Sequence, residues 1–580
     1  MIVRHGAAAA LALLAGAELV VLALLAAGFE GRTLLGPFVV VIHGVEKPLW
    51  VGIAAASACA LLSRRSRTGR SLSVGLIAAL IAVGIAALAR TVPDVVTKSD
   101  IAITELYVQL ATEGNLLVGP YSRFFWHHPG PLYFYMQVPF YAISGDRGAG
   151  LYAGALAINL LALAVLAWVL VRHDRGALTV TMLGIWLLVA HRAGFLAASP
   201  WTAHVPVLAT LTFLAVAAAA ASGRRWMLPL AAAVGSFLAQ CHVALVPLVI
   251  VLSLVALAGA ATTRAGHRTR LAPALHASGW CLAVLWLLPI SEQLSHKPGN
   301  LIHLWTFFTT SAGATPSYLT SLEAWSYAII GVLRPDLSLP YGGHFRVTHP
   351  GWAIPLAIVE VVAVMLVGVF AQRAGRRFET SLAWMAATAS LVSLWSISRI
   401  HGDILDHEIF WVVPLGAANL AIIAAAAVRR LVAPRLPAQT VRAVVAMSCL
   451  GLVLASVGDG LRALDGMIAF ERAALRRNAE LDATYRCIRD YLDTEGIAKP
   501  LFRIEQWDTA AAVFVRLHGE GRAFVVEEKS LPIFTDAFAP RGDEDAIVAI
   551  RGSAARADAA GPAVVLQRDP VYIEALKVLR

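Results

Sequence analysis

The sequence predicts a polytopic α-helical membrane protein carrying a small soluble α/β unit at its C-terminal end. Three observations predict it. Hydrophobic residues make up 58% of the 580 and charged residues only 14%, whereas soluble domains carry about a quarter charged residues. Apolar runs of bilayer length recur from the N-terminus to about residue 461. From about residue 464 the pattern turns amphipathic and then alternates short apolar runs with polar segments.

A membrane-crossing helix needs about 17–25 apolar residues, because lipid cannot satisfy an open backbone. About thirteen segments meet that length. They fall near 7–28, 38–62, 71–90, 149–171, 177–197, 202–222, 226–241, 243–262, 271–290, 351–371, 378–398, 409–428 and 441–461. Residues 1–463 therefore read as a transmembrane domain with long polar loops at 91–148 and 291–350, and 464–580 as a separate unit. Alternate short loops carry the arginines: Arg64, Arg65, Arg67 and Arg70, then Arg172 and Arg175, Arg224 and Arg225, Arg264, Arg268 and Arg270, Arg373, Arg376 and Arg377, and Arg429, Arg430 and Arg435. By the positive-inside rule those loops are cytoplasmic. The N-terminus is then inside, and loops 91–148, 291–350 and 399–408 face outward with the C-terminal unit.

The net charge of +10 resides largely in those loop arginines, so it reports topology and calls for no nucleic acid. The five cysteines show no metal-like spacing and no disulfide framework. The first apolar run lacks a convincing cleavage site and reads as a retained anchor. In the C-terminal unit, 464–493 has helical spacing stopped by Gly496, and apolar runs at 501–504, 523–526, 546–550 and 563–567 suggest a partly parallel sheet. It has no glycine-rich phosphate loop and no nucleophile elbow, and reads as a lid, scaffold or docking module.

The stretch Pro93 to Gly145 is the first long polar interruption, and ionisable clusters beside lipid default to function. Ser99 to Glu113 is expected to form an interfacial amphipathic helix with Ile103, Leu106, Tyr107 and Leu110 on one side, ended by Gly114 and Asn115. Asp100 in its first turn is open to two readings. It completes a capping box with Thr97, or it is a general base projecting into an outward cavity. Glu105 lies about 140° further round such a helix, and Asp94 precedes it in the loop. Both are further carboxylate candidates. After the helix, Tyr121, Trp126, His127, His128 and Tyr133 form two proline-interrupted aromatic runs, read either as an interfacial belt or as a substrate surface. A metal site at His127 and His128 is disfavoured, because adjacent side chains rarely point at one ion.

The order of acidic outward loop, interfacial helix and the run HHPGPLYFY (127–135) resembles the first external loop of GT-C-type glycosyltransferases, the class of aminoarabinose, protein mannosyl and arabinofuranosyl transferases. ISEQLSHKPGNLIHLW (290–305) is similar to a loop of bacterial members, and the resemblance spans roughly 71–461. It implies a GT-C-like fold in a bacterial inner membrane. The implied activity is an inverting glycosyltransferase that moves a sugar from a polyprenyl-phosphate donor to an acceptor hydroxyl. A loop Asp is the base in that class, and Asp100 best occupies its place. Two features depart from the pattern: the neighbouring Asp-Glu pair is absent, and two extra spans come first. The implied partners are the lipid-linked donor, membrane lipid, and a cell-envelope glycan, lipid or protein acceptor. No cofactor is assigned, and a divalent cation stays an open alternative. Cations expected outside for the donor phosphate are Arg192 and Arg399 at span ends, then Lys98, Arg123, Lys297 and Arg346. The alternative class is a transporter or flippase of lipid-linked saccharides, for which the sequence lacks the usual duplicated halves.

Overall fold

A computed structural model of the chain describes residues 2–35, 38–42, 44–62, 67–174, 176–262, 271–310, 315–337, 339, 350–431, 435, 437–473, 475–552, 566–568 and 571–577. Arg64, Arg65, Arg175, Arg264, Arg268, Arg270, Arg346 and residues 563–565 of the last expected strand lie outside these. The N-terminal part runs α1 (Ile2–Ala26), β1 (Gly31–Leu35), β2 (Phe38–Ile42), α2 (Glu46–Leu62) and α3 (Arg67–Thr91). The expected continuous span 38–62 is corrected here. Residues 38–42 pair antiparallel with 31–35, since the run Phe38-Val-Val-Val-Ile42 is β-branched as well as apolar. The helix starts only at Glu46, with Pro48 in its first turn, where a missing N–H costs nothing.

Two helices of the first polar stretch follow, α4 (Ser99–Thr112) and α5 (Leu132–Ser144). Then come α6 (Ala149–His173), α7 (Ala177–Arg192), α8 (Val205–Ala221), α9 (Leu228–Cys241), α10 (Val246–Thr262), α11 (Leu271–Leu285) and α12 (Leu287–Ser295). The second long loop carries α13 (Asn300–Thr310) and α14 (Tyr318–Ile329), before α15 (Pro350–Arg373), α16 (Arg377–Ile397), α17 (Val413–Leu431) and α18 (Ala438–Ala473). Each of the thirteen apolar segments contains a helix. Among the described residues eight helices are long and apolar enough to cross a membrane, or nine if α11 and α12, bent by 49°, form one span. The chain is a multi-pass membrane protein. Buried alanines at Ala209, Ala215 and Ala217 to Ala220 of α8 let neighbouring helices pack closely where lipid gives no hydrophobic drive.

The loops expected on one side meet one another. Arg429 pairs with Glu379 and with Asp174 at 3.4 Å, and Arg376 pairs with Glu379 at 2.9 Å. The other set gathers at the opposite helix ends around a common cavity, described below.

α18 has 36 residues, about 54 Å of helix, so it runs well beyond a hydrocarbon core of about 30 Å. It leads into α19 (Leu475–Glu495), which ends at Gly496 with φ +65, a left-handed cap suited to glycine. The C-terminal unit continues with β3 (Pro500–Ile504), α20 (Trp507–Gly519), β4 (Val525–Val526), α21 (Leu531–Phe534), β5 (Ala546–Gly552), β6 (Leu566–Arg568) and β7 (Val571–Lys577). Its sheet has the order β4-β3-β5-β7-β6, parallel across β4-β3-β5 and antiparallel beyond. The sequence expectation did not contain β7. Phe502, Phe514, Phe524, Phe534 and Phe538 fill the unit's core.

Candidate active site

The helix α4 is buried on all sides from Ile101 to Ala111, which corrects the expectation of a surface helix with one apolar face. It is held between α5 and the C-terminal unit. Gln109 Nε2 donates to the Val515 carbonyl at 3.1 Å and to the Tyr141 hydroxyl at 3.0 Å, and the Tyr107 hydroxyl donates to the Ile533 carbonyl at 2.9 Å. The capping-box reading also fails. The cap residue is Lys98 with no side-chain cap bond, and the Thr97 hydroxyl donates instead to Glu105 Oε2 at 2.5 Å. Ser99 enters the helix at φ +51, a left-handed backbone that is uncommon for a residue with a Cβ and recurs at functional sites.

Asp100 is thereby free of the helix end. It lines a cavity of about 730 Å³ shared by loops 91–148, 291–310 and 395–408 and by the C-terminal unit. The hydroxyl of Tyr121 donates to Asp100 Oδ1, and the Trp201 indole also hydrogen-bonds the carboxylate. Burial raises the Asp100 pKa above the usual carboxylate range, and both hydrogen bonds oppose the rise.

The loop that brings Tyr121 here folds back on itself. Tyr121 and His127 bridge antiparallel, His128 N donates to the Pro120 carbonyl at 2.7 Å, and Phe125 takes φ +63 at the tip. Gly119 and Gly130 permit it. A Cβ on Gly119 would meet the His128 carbonyl at 2.5 Å, and one on Gly130 would meet Gln240 Oε1 at 2.3 Å. Asn300 at the start of α13 clamps the loop, accepting from His127 N and donating to the His127 carbonyl, each at 2.9 Å. Glu292 in turn accepts from Asn300 N at 2.9 Å. The two segments that carry the family resemblance are thus in direct contact.

Of the other expected substrate residues, Trp126 and His128 line the cavity. His127 is buried behind it, and the Tyr133 hydroxyl is spent on the Pro200 carbonyl at 2.7 Å. His128 stacks on His242 with ring centroids 4.7 Å apart. Nδ1 of His128 accepts from Val243 N at 3.0 Å, and Nδ1 of His242 accepts from Ala244 N at 3.3 Å. A ring nitrogen that accepts a backbone N–H holds no proton, so each neutral ring carries its proton on Nε2 and is a donor there. Burial, reinforced by neighbouring histidines, keeps both rings neutral by pushing His128 well below the usual range and His242 to about 3.

The expected phosphate cations separate clearly. Arg399 lines the cavity and is exposed to it, and among the described residues its guanidinium makes no ion pair. Arg123 also lines it, but pairs with Glu408 at 3.0 Å and donates to the Asp403 and His401 carbonyls at 2.8 and 3.2 Å. Arg192 is turned away and donates to the carbonyls of Val332, Arg334 and Pro335 at 2.6–3.1 Å. Lys98 and Lys297 do not line the cavity. Neither does Asp94, whose Oδ1 accepts from Val95 N at 2.9 Å. Glu105 is buried at the contact with α5, accepting from Tyr141 at 3.2 Å as well as from Thr97.

Several lining residues stand outside the expected set: Trp201, the aromatics Trp305, Phe307, Phe308 and Trp395, and Trp507 from the C-terminal unit. From the sequence His242 reads as a core histidine in an apolar span, and His407 and Glu408 as a solvated loop in preference to an acceptor or metal contact; all three line the cavity. Among the described residues no group of three His, Cys, Asp or Glu is placed to hold a metal ion.

No family model and no curated protein matches the chain. Among solved structures it is similar to ArnT from Cupriavidus metallidurans bound to undecaprenyl phosphate, with 14% identity and a TM-score of 0.49 over 87% of this chain and 97% of that one. It is also similar to the apo state of ArnT from the same organism, with 14% identity and a TM-score of 0.46 over 87% and 98% of the two chains.

Proposed function

We propose that the chain is an inverting membrane glycosyltransferase that uses a polyprenyl-phosphate sugar, with Asp100 as its base. The observation that carries the reading is one carboxylate, clear of ion pairs among the described residues and held by Tyr121 and Trp201, in a cavity that also exposes Arg399. Transfer from a lipid phosphate needs those two functions at once. As the acceptor hydroxyl attacks the anomeric carbon, its proton passes to the Asp100 carboxylate. The new C–O bond forms while the bond to the phosphate oxygen breaks, and the electron pair leaves on the phosphate. The guanidinium of Arg399 offsets the charge on the departing phosphate. His128 and His242 line the same cavity, and their Nε2–H groups are neutral donors available to it. Glu408, the other carboxylate lining it, is committed to Arg123. A single base without a second nucleophilic carboxylate supports one displacement, which inverts the configuration.

The exposed indoles of Trp305 and Trp395 lie on α13 and α16 at the cavity, where an isoprenoid chain entering from lipid finds apolar surface. We assign the cavity side and residues 464–580 to the outer face of a bacterial cytoplasmic membrane, from the arginine asymmetry of the loops. The test is sugar transfer from a defined polyprenyl-phosphate donor by purified Asp100→Asn, Asp94→Asn and Glu105→Gln. Loss of a general base lowers the rate by about 10²–10⁴-fold, and that loss is expected only for Asp100→Asn. A near-normal rate in this variant removes Asp100 as the base. Three active variants place the base on another group, and a wild type that transfers no sugar from such donors overturns the transferase reading.

A further inference from the structure

We propose that the C-terminal unit completes the active site by presenting the indole of Trp507 as a stacking platform for the donor's sugar ring, an inference that rests on the glycosyl-transfer reading above. Trp507 is the first residue of α20 and lines the cavity alongside Asp100. Its ring meets that of Tyr121 edge-on, with centroids 6.0 Å apart and planes at 65°. Tyr121 is the residue whose hydroxyl holds Asp100. One aromatic ring therefore separates the proposed base from the C-terminal unit.

The fold of the unit delivers Trp507 to that point. β3 lies between β4 and β5, all three parallel, and the chain leaves β3 towards β4 on one side and returns as β5 on the other. Such a reversal opens a crevice at the carboxyl ends of the strands, the place where α/β sheets take ligands. Trp507 follows the carboxyl end of β3 by three residues. Glu527 Oε1 fixes that exit by accepting from Ile504 N at 2.7 Å. The apolar side of α20, from Thr509 to Val515 and at Leu517, is buried. Its body is therefore anchored while its first residue remains half-buried at the cavity.

Distance and chemistry select a sugar for this ring. The acceptor oxygen must lie about 3 Å from the base and about 3–3.5 Å from the anomeric carbon. The sugar therefore sits in the shell around Asp100 that Trp507 borders. The C–H groups of a sugar ring carry slight positive charge and pack against the negative face of an indole. Trp305 and Trp395 suit the isoprenoid instead, since their indoles are largely exposed while that of Trp507, in the C-terminal unit, is half-buried against Tyr121.

The experiment compares wild type, Trp507→Leu and Trp507→Phe in nanodiscs. Titrations use undecaprenyl phosphate alone and undecaprenyl phosphates bearing glucose, mannose or arabinose. Wild type should bind at least one sugar-bearing lipid more tightly than the bare phosphate. The Leu variant keeps apolar volume but no π face, and should bind that sugar lipid on the order of tenfold more weakly. Its affinity for bare undecaprenyl phosphate should not change, and the Phe variant should restore most of the loss. Unchanged sugar-lipid affinity in the Leu variant overturns the proposal, as does an equal loss for both lipids, which would make Trp507 part of the lipid groove or of the packing. Wild type that binds none of the lipids overturns the transferase reading itself, and the platform with it.

Discussion

The Tyr121 hydroxyl donates to Oδ1 of Asp100, so the loop after α4 returns to position the carboxylate at the start of α4. A hydrogen bond to the ionised form lowers a carboxyl pKa, here against the larger effect of burial. Tyr121→Phe keeps the ring and removes only that bond. As a base Asp100 must be ionised, so activity falls as pH drops through its pKa. Without the Tyr121 bond that pKa rises further, and the acid limb of the kcat/KM profile should move up by about 1–2 pH units. An acid limb that stays in place, with a uniformly lower rate, would separate Tyr121 from the ionisation of Asp100.

Arg399 and Arg192 offer a second comparison, since both sit at the end of a helix on the cavity side. Arg399→Ala should raise the donor KM by about 10–100-fold, the loss expected for a charge-assisted phosphate contact. Arg192→Ala should leave the donor KM alone. It removes bonds to three carbonyls of the 332–335 turn and should cost about 1–3 kcal/mol of stability. Donor kinetics that respond to Arg192 and ignore Arg399 would move the phosphate site away from this cavity.

What the sequence discloses and what it hides divide along the range of the interaction. Thirteen apolar segments are legible because length and apolarity belong to one stretch of chain. The misread strand at 38–42 shows the limit, since Val39 to Ile42 are as apolar as a span. Helix α4 is misjudged as a surface helix because its second packing surface, α20, arrives some four hundred residues later. Thr97 and Asp100 have capping-box spacing, but the partners that claim them, Glu105 and Tyr121, are set by tertiary structure. Arg192 and Arg399 look equivalent in sequence, and only the folding back of residues 332–335 tells them apart. Trp507 carries no local signal at all.

Sidedness is testable apart from chemistry. The shared cavity joins the C-terminal unit to loops 91–148 and 291–310, and the proposed orientation, from the positive-inside rule, has that side outside. A reporter active only in the periplasm, fused after Arg580, should be active. One fused after Arg430 should be silent. Activity in the reverse pattern would invert the topology and leave the base facing the cytoplasm.

The remaining prediction concerns Glu105, which lies within α4 but off the cavity. Burial at the contact of α4 with α5 raises its pKa from 4.5 to about 7, more than the hydrogen bonds from Thr97 and Tyr141 and the charge of Arg516 offset. Because the folded-state pKa lies above the unfolded one, the stability linked to Glu105 is fully present below about pH 4.5 and is lost as pH rises through about 7. Ionising it in the folded protein costs about 3 kcal/mol at the alkaline end. Glu105→Gln imitates the protonated acid in shape. The hydroxyls of Thr97 and Tyr141 can each reverse roles to accept from its amide. The variant should match wild type in thermal unfolding near pH 5 and exceed it by a few degrees near pH 8, with the gap opening around neutrality. Comparing the two proteins at each pH cancels the other titrating groups. Sugar transfer by the variant should stay near normal, since Glu105 does not line the cavity. Unfolding curves that run parallel from pH 5 to pH 8 would mean that Glu105 is already ionised in the fold. A collapse of transfer with unchanged stability would return it to the catalytic candidates.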